Sequence, residues 1–150
     1  MSPFGKRIRA NFGGAIPDLL FAGIPIVNDF VSAAPVLPPI FSLRHEMPPA
    51  MLQLNYDCVG AAGAYLGEFF EKKESGIFQD FSAMALFSLA KAQDGIPREA
   101  VTYLSNATYI PMKRGYFYEK DYPEKGGDVY EVKSEHFTEA LKYKIRDSVM

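Results

Sequence analysis

Tryptophan is absent from the chain, cysteine occurs once (Cys58) and histidine twice (His45 and His136). A single cysteine excludes an internal disulfide framework and any zinc site built on several thiolates. Two histidines are too few for a histidine-rich metal centre, and no metal or other cofactor is expected. Basic residues are not in excess, since 16 Lys and Arg stand against 18 Asp and Glu, a formal charge of −2. That balance lacks the electrostatic footprint of a phosphate-binding surface and argues against a nucleic-acid partner. Long apolar runs are missing too. Pro17, Asp18, Pro25, Asn28 and Asp29 interrupt the most apolar region, so nothing reaches the roughly 18–20 residues of a transmembrane helix.

What is present is globular in bulk, with 48% hydrophobic and 23% charged residues over 150 positions, but unevenly distributed. Residues 1–50 hold eight of the eleven prolines and only seven of the 34 charged residues, and all nine tyrosines come later. Proline fixes φ, removes a donor and biases its predecessor toward extended backbone, so long helices are excluded between Ala34 and Pro49. A disordered linker is polar, because low hydrophobicity is what keeps it from collapsing. This segment is the opposite. Leu19, Leu20, Phe21, Ile26, Phe30, Ile40 and Phe41 are its candidate contact residues. An apolar, irregular arm needs a surface, supplied by the helical part of its own chain, by a partner protein or by a membrane interface.

The remaining hundred residues read as a small helical domain, and the fold class as mainly α. Apolar spacing predicts helices over 51–73, 78–93, 97–106 and 135–149. The first carries the stripe Leu52, Tyr56, Val59, Gly63, Leu66 and Phe70 and stops at Gly76. Pro97 opens the third and Ser134 caps the last. Short strands at 116–119 and 128–133 would pair as a hairpin around Gly126-Gly127.

Four local patterns bear on function. Gly60, Gly63 and Gly67 lie on one strip of the first helix, and each glycine costs roughly 1 kcal/mol there relative to alanine. A close helix crossing, inside the chain or across an interface, is the expected compensation, so Gly63 and Gly67 count as contact positions. Met112 to Tyr118 interleaves basic and aromatic residues in the manner of RNA-binding strands. No companion strand motif accompanies it, and Glu119, Asp121 and Glu124 would repel phosphate. Arg114, Tyr116 and Tyr118 are instead expected in a packed or partner-facing aromatic turn. Ser88 and Lys91 have the spacing of a serine–lysine catalytic pair without its companion motifs. Cys58 with His45 or His136 has no local signature of a thiol enzyme, and a lone cysteine on an apolar helix is usually a small buried hydrophobe.

No catalytic constellation is therefore expected. The sequence reads as a non-enzymatic accessory or structural subunit of a multiprotein assembly, its partners other protein subunits, anchored by the apolar arm. The lone thiol suits a reducing intracellular compartment. The acid-free start with Lys6, Arg7 and Arg9 also suits an uncleaved mitochondrial import segment. Two alternatives remain at this level. One is a membrane-peripheral subunit of an organellar or envelope complex, in contact through the basic start. The other is a small enzyme or ligand-binding domain with a pocket near Cys58.

Overall fold

A computed structural model describes residues 40, 42–54, 56–96, 101–125 and 129–145, and the backbone of 15–16. Among these the order is β1 (Ala15–Ile16), α1 (Cys58–Ser75), α2 (Ala83–Gln93), β2 (Thr102–Tyr103), α3 (Asn106–Arg114) and α4 (Phe137–Ala140). Turns of 3-10 helix, Ser134–His136 and Leu141–Tyr143, flank α4. The protein is mainly helical, as expected. The contact positions Leu19, Leu20, Phe21, Ile26, Phe30 and Phe41 lie outside the described residues, and Ile40 is 85% exposed.

Helix α1 begins later than its periodicity suggests, since 51–54 is not helical. It ends where expected. Gly76 takes φ 74°, a left-handed conformation costly to other residues, and its N–H donates to the Lys72 carbonyl at 2.9 Å. The buried face keeps only Val59 and Gly63 of the predicted stripe: Leu66 and Phe70 stay exposed, while Gly60, Ala64, Gly67 and Glu68 join the inward side. Small residues choose this face because they let backbones approach. A Cβ at Gly60 would lie 2.2 Å from the Ala83 carbonyl oxygen on α2, and one at Gly63 would lie 2.7 Å from the Ala107 carbonyl oxygen on α3. Gly67 faces the ring of Tyr116, 2.4 Å from the same virtual carbon. The strip is thus used inside the chain.

Helix α2 starts at Ala83 rather than at 78, because Ser82 caps it by accepting the Ala85 N–H at 3.0 Å. Phe81, expected on the helix, is instead extended and bridges Tyr118. Residues 83–88 are all buried. A helix covered nearly all round is the centre of a fold rather than its surface.

Three expectations are corrected. The helix predicted over 97–106 is not there: residues 97–100 lie outside the described residues, Thr102–Tyr103 is a strand parallel to Ala15–Ile16, and helix starts only at Asn106. The β-branched Val101 and Thr102 are buried, a setting that favours extended backbone at these positions. The hairpin between 116–119 and 128–133 is not formed, because Tyr118 pairs with Phe81 and 129–133 carries no strand. The last helix shrinks to α4 with its 3-10 turns, Ser134 standing as the first 3-10 residue instead of a cap, and 146–150 lies outside the described residues.

One core cluster holds Ala64, Phe81, Ala83, Leu86, Ala90, Ile110 and Tyr116; a second holds Ala85, Phe117, Tyr122 and Ala140. The chain leading into α1 is tied along it, with Tyr65 Oη donating to the Pro48 carbonyl (3.0 Å) and Lys72 Nζ to the Met47 carbonyl (3.1 Å). No helix among the described residues is long and apolar enough to cross a membrane.

Candidate functional site

The turn that follows α3 collects most of the unusual chemistry. Tyr116 is buried and stacks on Phe81 with ring centroids 4.7 Å apart. Burial holds its phenol above the ordinary tyrosine range. Tyr118 donates to the Tyr143 hydroxyl at 2.9 Å and carries the Lys120 ammonium 4.8 Å over its ring. Arg114 is exposed and lies 5.5 Å over the Phe137 ring. Of the three aromatic-turn candidates, then, Tyr116 belongs to the core, Tyr118 to its rim and Arg114 to the surface. Gly63 and Gly67 are occupied within the chain, as described above.

A cleft of about 300 Å³ opens beside this turn, lined by Tyr116, Phe117, Tyr118, Lys120, Asp121, Glu135, His136, Glu139 and Ala140. His136 is fixed in it: Nδ1 lies 2.8 Å from the Tyr122 hydroxyl, which also accepts the Lys133 N–H at 2.9 Å. Cys58 is not among the lining residues. Its thiol is pushed up by burial and by the neighbouring Asp57 carboxylate. A nucleophilic cysteine needs the reverse, an electropositive setting that lowers it. His45 is exposed beside Glu46 at 3.4 Å. Ser88 and Lys91 are committed as well. Ser88 Oγ donates to the Met84 carbonyl (2.6 Å), and Lys91 Nζ donates to Asp94 Oδ2 (2.8 Å) and to the carbonyls of Ile96 (2.7 Å) and Val101 (2.9 Å). Among the described residues no group of three or more His, Cys, Asp or Glu is placed to hold a metal ion.

Sequence reasoning missed a set of buried carboxyls, because hydrophobic patterning assigns acids to the surface. Glu68, on the inner face of α1, is 2% exposed and accepts the Phe81 N–H at 3.0 Å. Burial raises it from 4.5 to about 7 against that hydrogen bond, which favours the anion, and Asp80 and Glu119 add repulsion. Asp57 precedes α1 and is fully buried, yet its side chain does not cap the helix. Neither of its side-chain oxygens has a hydrogen-bond partner among the described residues. Glu124 is raised to about 7, first by burial and then by the nearby Asp57 carboxylate. Its Oε1 accepts the Leu54 N–H at 3.0 Å, and its own N–H donates to Glu119 Oε1 at 2.5 Å. Burial raises Glu119 also, against the hydrogen bond that it accepts from the Glu124 N–H, and Asp80 and Asp57 add repulsion. One sequence signal could have pointed here: Asp57 precedes a helix, where acids cap, and the acids of 119–124 follow an aromatic run that must be buried.

In what it can do chemically, this arrangement binds protons and holds segments together; it presents no activated nucleophile. No protein-family model matches the chain, and no curated protein matches it in sequence.

Proposed function

We propose that this protein is a non-enzymatic accessory or structural subunit of a larger multiprotein assembly, held there by its apolar N-terminal arm. The observation that carries the reading is the series of large apolar side chains left in water where the arm meets the core. Ile40, Leu52, Leu54 and Tyr56 are 85%, 71%, 54% and 46% exposed. Scattered exposed apolar residues are ordinary, but a series continuous in sequence with an apolar arm resembles one side of an interface. Leu66 and Phe70, one turn apart on the outer side of α1, and Ile77 and Phe78 beyond its end are also exposed. The raised Cys58 thiol gives the enzyme reading no support.

The test is purification of the tagged full chain from its native source, with stoichiometric partners identified and the particle sized. Retention in a large particle through a high-salt wash is expected, with loss of the partners in the variant L52S/L54S or in F21S/F30S. A chain that sediments alone as a monomer overturns the reading. So does one whose only association is with anionic vesicles and disappears with salt, since exposed basic charges contribute roughly 1 kcal/mol each at such a surface.

A further inference from the structure

We propose that the cleft beside the aromatic turn binds a small alkylammonium ion, the charged end of a free amine or of a lysine side chain, at the wall formed by Tyr118 and Asp121. The two residues share one turn, closed by the Asp121 N–H donating to the Tyr118 carbonyl at 3.1 Å. A volume of about 300 Å³ is at the small end of ligand sites and suits a cation on a short stem.

The lining sets the sign of the charge. Three carboxylates, Asp121, Glu135 and Glu139, stand there against one ammonium, that of Lys120. Glu139 is already paired with Lys142 Nζ at 2.6 Å, and Glu135 lies 3.8 Å from Lys133 Nζ and 3.6 Å from His136 Nε2. Asp121 is exposed, and no described residue pairs with its carboxylate. The aromatic wall adds a second, independent attraction, because the face of a ring draws cations. Tyr118 shows it directly: the Lys120 ammonium lies 4.8 Å over its ring, and both residues line the cleft. The chain's own alkylammonium thus marks the class of group this wall accepts. Lys120 is exposed on a flexible stem, so an incoming ammonium can take its place. His136 does not swing into the cleft, since Nδ1 is held by the Tyr122 hydroxyl at 2.8 Å. The site does not rest on the assembly reading, and either can fail without the other.

The test is titration of the purified full chain with butylammonium at neutral pH, followed by amide NMR. Saturable shifts confined to residues 116–121 and 135–140 are expected, while butanol and butyrate, its neutral and anionic counterparts, give none. D121N is expected to weaken binding by about tenfold or more, the worth of one hydrogen bond to a charged group. K120M, which removes the internal competitor, strengthens it. Nα-acetyl-lysine amide separates the two sources: tighter binding than butylammonium assigns the site to a lysine of a polypeptide, weaker binding to a free amine. Absence of saturable shifts, an equal response to butanol, unchanged binding in D121N, or weaker binding in K120M overturns the site.

Discussion

A methyl group at position 60 would sit 2.2 Å from the Ala83 carbonyl oxygen, and backbone cannot step aside as a side chain can. Overpacking of this kind costs about 1–3 kcal/mol, and the better helix propensity of alanine returns about 1 kcal/mol of it. Gly60→Ala is therefore expected to lower stability by up to about 2 kcal/mol net, read as a drop in the denaturant midpoint at unchanged slope. Gly67→Ala meets a side chain instead, but that ring is pinned by its stack on Phe81. The residue scale also explains why α1 turns its larger Leu66 and Phe70 outward: three glycines on the other side allow contacts that bulkier residues would prevent.

At the scale of elements, junctions decide the architecture more than propensity does. Ser82 accepts the Ala85 N–H and donates to the Tyr122 carbonyl at 2.5 Å, so one hydroxyl starts α2 and anchors the turn after α3. Ser82→Ala removes both and leaves buried groups without partners. A loss of about 2 kcal/mol is expected in chemical denaturation. Helix α3 accommodates Pro111, which has no N–H to give the Ala107 carbonyl; Gly63 of α1 faces that same carbonyl. Legibility follows the same division. Gly76 marked the end of α1 and the glycine strip marked a close crossing, because both signals are local. The start of α2 at Ser82, the strand at Thr102 and the exposure of Leu66 were hidden, since each depends on what lies across the core. The buried acids were the least legible of all. Nothing in their own neighbourhood distinguishes Glu68, buried on α1, from Glu74, which faces water on the same helix.

For the whole molecule, raised carboxyls set a direction for stability against pH. Glu68 lies near 4.5 in an unfolded chain and at about 7 when folded. The folded state thus keeps a proton that the unfolded chain has released. Its contribution is greatest below about 4.5, declines as pH rises to about 7, and is level above. The unfolding free energy is expected to decrease over that window, and E68Q, which keeps an acceptor for the Phe81 N–H, should flatten the slope. Parallel curves for the native chain and E68Q would show that burial of this acid is not what sets the dependence.

Lys91, which secures the end of α2 to the connection before β2, has a further consequence. All three of its ammonium hydrogens point at oxygens, and the side chain is 6% exposed. An amine so engaged has no lone pair to offer an acylating reagent and no approach for one. A covalent tag found on this nitrogen would therefore record a moment when the polypeptide stood open, making the residue a natural witness to the history of each copy.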